Sequence, residues 1–508
     1  MTKKKRCILA LLLATVFLWM AGPATAAPKG KLIFGVSNPP TTLDPHTYYH
    51  MALTLVFDTL VEFDYEGKIV PHFAESFRQA EPTVWEFKLR QGVKFTNGEP
   101  ADAHAVKYSM ERILDPKLKT RIFAHFRTVD RAEVVDTYTV RIHTKVPDSF
   151  LISAFAVYGP HIVPPKYYAS HDAKYLARHP VGSGPYKLVK WSKGEELVFE
   201  ANPGYWNPSK QRVKTGIIKN IPEPTTRVSA LVSGGVDMID GVPPQLVSMI
   251  QKNPATEIVP WHAPRTCYLI MNIKEGAPWA DVRVRKALNY AIDKDAIIKN
   301  IIRGLARKVA MNVGPTSYGH NPDLKPYPFD PKKAKKLLAE AGYANGFEVD
   351  MFVPLGKYLL GKQTAEAIGG ELAKIGLKVS VRPVEWGNLV KRMRPRWEPH
   401  SKPFWWYSCR LDRLLHAEGM YSGAIHSRSN WGGFRDKELD KMLEAARAET
   451  DPAKRLKMYR ENNRVIYEEK VPLVFLWQLN QTNAKKKSVD WKMLPNALSF
   501  FTEAGWKD

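Results

Sequence analysis

Residues 330–381 read DPKKAKKLLAEAGYANGFEVDMFVPLGKYLLGKQTAEAIGGELAKIGLKVSV, and this stretch decides the fold class. Apolar and polar residues alternate over 347–353 and again over 377–381, which predicts two half-buried strands. Between them, 364–375 has the apolar spacing of a helix. A strand, a helix and a strand in this order normally form a right-handed crossover between parallel strands. The second half of the chain is therefore predicted to be α/β.

Further helices and strands are indicated on both sides of this unit. An aspartate accepts hydrogen bonds from the first free N–H groups of a helix, so a helix is predicted after each of Asp281, Asp330, Asp436 and Asp451. In the first half, alternation and turn residues predict strands at Leu32–Val36, Trp85–Leu89 and Thr137–Ile142, and a helix at Ala101–Ile113.

The N-terminus has the three parts of a secretory signal peptide. Residues 1–6 include four basic residues, 8–20 are uncharged and mostly aliphatic, and Ala24-Thr25-Ala26 is a small-x-small cleavage site. The apolar run would span only about 20 Å as a helix, less than a bilayer core of roughly 30 Å. We therefore expect residues 1–26 to be removed on export, leaving a soluble periplasmic chain without a lipid anchor.

The composition is that of a globular protein with a strong positive charge. The 508 residues are 44% apolar and 25% charged, which excludes wholesale disorder and a polytopic membrane protein. The formal net charge is +24, and +20 without the four basic residues of the leader. Such a charge attracts nucleic acid, anionic lipid or an acidic ligand, or it reflects a basic solvated surface. Export argues against nucleic acid.

The sequence lacks the common catalytic and metal-binding motifs. No G-x-S-x-G nucleophile elbow and no H-E-x-x-H zinc motif occurs, and the histidines have no tight ligand spacing. Gly356–Lys362 has the spacing of a phosphate loop, but Gln363 stands where the Ser or Thr that binds magnesium is needed. We therefore expect no catalytic residues, no metal and no cofactor.

Several segments together resemble the extracellular solute-binding proteins of family 5, the oligopeptide, dipeptide and nickel receptors of ABC importers. The resemblance spans roughly residues 30–480 and rests on segments that occur in the family's order. They are PHFAESF (71–77), WEFKLRQGVKFTNG (85–98), AVKYSMER (105–112), GSGPYKL (182–188), NPGYWN (202–207), DVRVRKAL (281–288) and DPKKA (330–334).

The resemblance implies a bilobal, periplasmic-binding-protein-like fold of type II, similar to cluster C, with an extra subdomain inserted in lobe one. A ligand would bind between the two lobes and close them. The implied limits are 27–62, 181–263 and 478–508 for lobe one, 63–180 for the inserted subdomain, and 264–477 for lobe two.

The segment 404–412, FWWYSCRLD, is the main candidate for ligand contact. In peptide-binding relatives an aspartate just after an aromatic strand pairs with the α-ammonium group of the ligand, and Asp412 fits that position best. The family's Gly-Trp-x-x-Asp pattern is not intact, because Cys409 occupies the Trp slot. Two alternatives remain open. A register shifted by one residue places Leu411 at the acidic position, or Asp412 is a surface acid paired with Arg410 or Arg413.

Other residues are candidates for the same site. Strand alternation puts Trp405 and Tyr407 on one face and Trp406 on the other, and we expect Trp406 or Tyr407 to reach the cleft. The remaining candidates are a possible carboxylate clamp, a loop after the first strand and a residue near the lobe crossing: Arg410, Asn38 with Pro39, and Arg265.

The two cysteines of the mature chain, Cys267 and Cys409, could form a disulfide or remain buried thiols. Some oligopeptide-binding relatives carry a disulfide between the corresponding regions, and the oxidising periplasm permits it.

The resemblance implies a non-enzymatic, monomeric receptor that delivers a peptide or peptide-like solute to an inner-membrane ABC permease and its ATPase subunits. One alternative is the same scaffold with another ligand: a nickel–chelator complex, an opine, an oligosaccharide or an anionic conjugate. The other is an exported hydrolase or a chaperone-like protein that uses the cleft.

Overall fold

The computed structural model describes residues 28–507, except 119, 121, 359, 394–402, 423, 428, 430 and 497–500. The signal peptide expected over 1–26 lies outside this range. The strands are β1 (Lys29–Val36), β2 (Val61–Phe63), β3 (Ile69–Pro71), β4 (Ala74–Glu81), β5 (Val84–Leu89), β6 (Val129–Asp136), β7 (Thr139–Thr144), β8 (Tyr186–Ser192), β9 (Glu196–Ala201), β10 (Val213–Asn220), β11 (Met238–Ile239), β12 (Thr256–Met271), β13 (Ala306–Lys308), β14 (Glu348–Pro354), β15 (Lys378–Val384), β16 (Phe404–Leu411), β17 (Leu473–Lys486), β18 (Val489–Trp491) and β19 (Ala504–Trp506).

The helices surround these strands. They are α1 (Leu53–Val56), α2 (Ala103–Leu114), α3 (Leu151–Tyr158), α4 (Pro165–Ser170), α5 (Ala173–Leu176), α6 (Pro224–Val232), α7 (Val247–Lys252), α8 (Val282–Ala291), α9 (Lys294–Asn300), α10 (Pro331–Glu340), α11 (Gly361–Ala373), α12 (Trp386–Met393), α13 (Ala417–Tyr421), α14 (Lys437–Ala448) and α15 (Pro452–Arg464). Among the described residues, no helix is long and apolar enough to cross a membrane.

One mixed sheet runs through both halves of the molecule. Its path is β15-β14-β16-β12-β17-β11-β1-β10-β9-β8, with β13 paired to β17 beside this path. The strands β15, β14 and β16 lie in the half that we call lobe two, and the strands after β17 on the path lie in lobe one. The long strands β12 and β17 pair antiparallel across the junction, and their register shifts between Trp261 and Arg265. The lobes therefore share a hydrogen-bonded pair of strands, and the α/β, two-lobed prediction is confirmed.

The β-α-β unit has the predicted structure. β14 and β15 are parallel, and Val349 pairs with Val379 and Met351 with Val381. The helix between them, α11, buries Ala365, Ile368 and Leu372 against the sheet. Each predicted aspartate cap is present too, and Asp330, for example, accepts a hydrogen bond from the Lys333 amide at 2.9 Å.

The inserted subdomain is a second, four-stranded antiparallel sheet in the order β4-β5-β7-β6. Helix α2 covers it, beginning at Asp102, whose carboxylate accepts from the amides of His104 and Ala105. The buried stripe of α2 includes the residues that the sequence predicted, Ala103, Val106, Met110 and Ile113. The predicted limits of the lobes and of this subdomain stay predictions, because strands β12 and β17 belong to both lobes.

Three family-like segments of the first half converge on one buried carboxylate, that of Asp58. It is fully buried and accepts hydrogen bonds from Ser183 Oγ at 2.8 Å, Tyr205 Oη at 3.0 Å and Trp206 Nε1 at 3.3 Å. His72 Nε2 lies 3.4 Å from the same group. PHFAESF, GSGPYKL and NPGYWN thus each supply a partner, which explains why these segments mark the scaffold rather than the ligand.

Removing the Asp58 carboxylate is expected to destabilise the fold. In Asp58→Ala several buried donors lose their acceptor, and each unsatisfied group costs about 1–3 kcal/mol. We expect the free energy of unfolding in urea to fall by about 3–5 kcal/mol. Asp130→Ala removes an exposed carboxylate that pairs with Arg131 and is expected to cost less than about 1 kcal/mol. Equal losses in the two variants would contradict the structural role of Asp58.

Candidate functional site

An interlobe cleft of about 840 Å³ opens where β12 and β17 cross between the lobes. Lobe one contributes the end of β1 and the segments around Tyr48–Met51 and Trp491–Met493. The crossing strands supply Trp261, Arg265, Gln481 and Asn483, and the end of β16 supplies Leu411 and Arg413. The cleft therefore lies at the register shift between Trp261 and Arg265, where the strand pair leaves space between its side chains.

Two of the predicted site residues line this cleft, Asn38 and Arg265. Pro39 lies next to them in a separate groove of about 650 Å³, together with Trp191 and Arg178. The Arg178 guanidinium stacks 4.1 Å from the centroid of the Trp191 ring. The loop after β1 thus borders two adjoining concave surfaces.

The aromatic strand β16 is covered on both faces. Trp405 and Tyr407 pack in one core cluster and Trp406 in another, as the predicted alternation requires. Trp406 and Tyr407 are each only 1% exposed, and neither lines the cleft. Ligand contact by these two residues stays a prediction, whereas their packing role is visible.

Cys267 and Cys409 stand opposite each other in the β12–β16 ladder and are joined by a disulfide. The bridge fixes β16 to the strand that crosses between the lobes. It therefore holds the end of β16, from which Leu411 and Arg413 reach the cleft.

Asp412 lies behind the cleft wall rather than in it. Leu411 and Arg413 line the cleft, whereas the Asp412 carboxylate points into lobe two and accepts from Ser317 Oγ at 2.6 Å and the His416 amide at 3.0 Å. The alternative of a surface acid is wrong, because Asp412 is only 3% exposed. Its second oxygen, Oδ1, is buried and has no partner among the described residues. The ammonium-anchor role stays a prediction.

Arg410 is directed away from the cleft as well. Its guanidinium donates to the carbonyl of Ser422 within lobe two. The role of Arg410 as a clamp for a ligand carboxylate therefore also stays a prediction.

The cleft itself is cationic. Burial, and next the neighbouring Arg413, lower the pKa of Arg265 to about 10. Lys357 lies in the loop after β14. Burial, and next the positive charge of Arg265, lower the pKa of Lys357 to about 8. His50 has its pKa lowered to about 4 by burial, with a smaller contribution from Arg413, so it is neutral at pH 7. In the part of the chain that the structure describes, no cluster of three or more His, Cys, Asp or Glu side chains could hold a metal ion.

The comparisons with known proteins agree with this architecture. Residues 68–407 match the family model of bacterial extracellular solute-binding proteins, family 5. The chain belongs to this family.

Three relatives with different ligands illustrate the range of the family. The glutathione-binding protein GsiB of Escherichia coli K12 is 27% identical over 506 residues, which cover 97% of both chains. AgaA of A. tumefaciens R10, solved with agropinic acid, is 29% identical with a TM-score of 0.80, covering 94% of this chain and 99% of AgaA. NikA of Brucella suis, solved with Fe(III)-EDTA, is 26% identical with a TM-score of 0.83, covering 94% and 100%.

The chain is therefore a solute-binding receptor of the kind that serves ABC importers, and its resemblance to family 5 is confirmed. Sequence reasoning missed most of the residues that line the cleft, notably Arg413, Trp261, Trp491 and Asn483. Arg413 entered only as a possible partner of Asp412. Its position directly after the candidate segment 404–412 was the available signal.

The environment of Asp412 predicts a pH dependence of stability. Burial raises its pKa from the ordinary 3.8 to about 6, against the opposing hydrogen bond from Ser317. Ionisation of Asp412 is thus less favourable in the folded than in the unfolded protein. The free energy of unfolding therefore falls as the pH rises from about 4 through 6. Relative to Asp412→Asn, the ligand-free wild type should lose up to about 3 kcal/mol between pH 4 and 7.

Urea unfolding of both proteins at several pH values measures this difference. Asp64→Asn serves as the control, because that half-buried carboxylate accepts from the amides of Glu66 and Lys68, and it should not show this loss as the pH rises. A stability difference between wild type and Asp412→Asn that does not change with pH would contradict the buried, weakly paired carboxylate.

Proposed function

We propose that this receptor captures a peptide or peptide-like solute in the interlobe cleft and delivers it, as a monomer, to an inner-membrane ABC permease and its ATPase subunits. The observation that carries the proposal is the cleft of about 840 Å³ at the point where β12 and β17 cross between the lobes. A site at that point is completed by both lobes, so ligand binding favours the state in which they are closed.

The relatives' ligands support a small solute of this kind. GsiB is named for glutathione, which is itself a tripeptide. A non-peptide ligand is the second candidate, and it is favoured by the relatives solved with agropinic acid and with Fe(III)-EDTA.

A buried ion pair joins the lobes at a distance from the cleft. Asp148 follows the last strand of the inserted subdomain, and Arg447 lies in the last turn of α14 in lobe two. Arg447 Nε donates to Asp148 Oδ1 at 2.8 Å, and Ser149 donates in return to the Arg447 carbonyl at 2.8 Å through its hydroxyl. The Asp148 side chain is fully buried in this contact.

These contacts belong to the closed state. Lobe two is attached to lobe one through the crossing strands, so opening about those strands would separate Asp148 from Arg447. Leu414 and Leu415 of lobe two would also leave the core of the inserted subdomain. Closure therefore stabilises the receptor through a second set of contacts besides the ligand.

Loss of the ion pair is expected to weaken ligand binding from outside the cleft. Arg447→Met leaves the Asp148 charge buried without its partner in the closed state only, a penalty of about 3–5 kcal/mol at most. Titration calorimetry with the native solute should show affinity reduced by at least tenfold. Arg464→Met removes an arginine from a solvent-exposed network on α15 and should bind like wild type. Undiminished affinity of Arg447→Met would contradict the closure contact.

The receptor purified from its own host is expected to retain an intact solute. Native mass spectrometry should find one solute per monomeric chain, and scattering should give a smaller radius of gyration with that solute than without it. Release of a cleaved product instead would support the hydrolase alternative. An unchanged radius at saturation would contradict closure.

The same mass spectrum should show a chain that begins at Ala27 if the signal peptide is cleaved as expected.

The sequence-based role of Asp412 has its own test. If the solute carries a free α-ammonium group that reaches Oδ1, Asp412→Ala should weaken binding by more than tenfold, because the ammonium loses a desolvated partner. Asp412→Asn separates this from the loss of the Ser317 contact, since its amide oxygen still accepts that hydrogen bond. Wild-type affinity in both variants would mean that the Asp412 carboxylate serves only lobe two.

A further inference from the structure

We propose that the interlobe cleft is a carboxylate-binding site, in which Arg265 and Arg413 hold the acidic groups of a ligand with net negative charge. This inference rests on the proposed receptor function and narrows the class of its ligand.

The residues that line the cleft carry an excess of positive charge. They include one carboxylate, Asp240, and it already has partners within lobe one. Its oxygens accept from the Ser37 amide at 3.0 Å and the Ser37 hydroxyl at 2.9 Å, and Arg227 Nε lies 3.2 Å away. Asp240 and Arg227 therefore balance each other, and the charges of Arg265 and Arg413 remain.

Within the part of the chain that the structure describes, the two cleft arginines have no such balance. Among the described residues, no carboxylate oxygen lies within 4.0 Å of the guanidinium of Arg265 or Arg413. Arg413 instead stacks 5.5 Å from the centroid of the Tyr49 ring. Half-buried cations of like sign repel each other and lose hydration, so an anion between them removes a cost that is present in the empty cleft.

A third cation, Lys357 of lobe two, adds to the positive charge of Arg265 and Arg413. The Lys357 ammonium lies 2.8 Å from the centroid of the Trp386 ring, close enough to Arg265 to act on it electrostatically. Lys357 is exposed at the surface, so it can attract an anion before the lobes close.

The hydrogen-bond inventory points in the same direction. The indole N–H groups of Trp261 and Trp491 are both buried and have no acceptor within the described part of the chain. The amide oxygen of Asn483 is already used by the Gly241 N–H at 3.1 Å. The guanidinium groups of Arg265 and Arg413, which line the cleft, can only donate hydrogen bonds. A carboxylate, with two oxygens that accept about four hydrogen bonds, matches these donors.

The remaining lining residues indicate an organic anion rather than a simple ion. Phe34, Trp261, Trp491 and Met493 give the cleft apolar surface, which suits the carbon skeleton of an organic ligand. The ligand should thus combine carboxylates with a carbon skeleton of moderate size.

The inference is tested with a fixed panel of solutes and titration calorimetry on the wild-type protein, after any retained solute has been removed by unfolding and refolding. The panel contains glutathione and its diester, a tetrapeptide acid and its amide, agropinic acid, and Fe(III)-EDTA. We expect the tightest binder to be an anion, and its ester or amide counterpart, where the panel contains one, to bind at least tenfold more weakly.

The arginine variants identify the groups responsible. Arg265→Gln and Arg413→Gln should each weaken the tightest binder at least tenfold, and Arg265→Lys and Arg413→Lys should recover part of that loss. Arg382→Gln removes one positive charge from an exposed pair with Asp350 and should leave the affinity unchanged within twofold. Circular dichroism and thermal unfolding verify that each variant is folded.

Three results would overturn the inference. They are a neutral or cationic solute as the tightest binder, wild-type affinity in both Gln variants, and the absence of binding by every anion of the panel. The receptor function stands or falls separately, by the solute retained from the host and the compaction that it causes.

Discussion

Strands β12 and β17 pair antiparallel across both lobes, and this pairing sets how the lobes are joined and where the cleft lies. Main-chain hydrogen bonds make the lobes parts of one sheet, so their relative movement is confined to bending of this strand pair. The register shift between Trp261 and Arg265 interrupts the ladder at the crossing. The side chains next to that interruption, above all Arg265, therefore lie on strands that belong to both lobes.

Pairing with β12 also explains why most side chains of β16 are buried while those at its end reach the cleft. This strand pairs with β12 and is tied to it by Cys267–Cys409, and helices and loops cover both of its faces. Its aromatic side chains are consequently part of the core. Only where the strand ends, at Leu411 and Arg413, does a side chain reach the cleft. A rigid strand thus presents a short segment to the cleft, which is how a scaffold positions side chains precisely.

Local patterns in the sequence were sufficient for the parts of the fold that depend on local chemistry. The crossover of β14, α11 and β15 follows from apolar periodicity, and the helix starts follow from aspartate caps such as Asp330. The family-like segments revealed the scaffold without explaining it, because Asp58, the common partner of three of them, lies outside every one of these segments. A buried hub of that kind carries no periodic signal.

The cleft was harder to predict for the same reason. Its residues come from widely separated segments, and Trp491 and Tyr49 meet only in the folded chain. At the end of β16, a difference of one residue decides which side chain faces the cleft. Asp412 has the chemistry of an anchor, but its neighbours Leu411 and Arg413 occupy the wall. The net charge of the chain alone indicated an acidic ligand only as one alternative. The unbalanced pair Arg265 and Arg413 indicates where such a ligand would bind.

The central claim is that the lobes close on an anion held at their crossing. The most direct measurement is a crystal structure of the receptor purified from its own host with the solute that it retains. Our account places that solute between Arg265 and Arg413, with at least one carboxylate on a guanidinium and the Asp148–Arg447 contact formed. A solute bound elsewhere, or one in the cleft whose groups at both arginines are uncharged, would contradict the account.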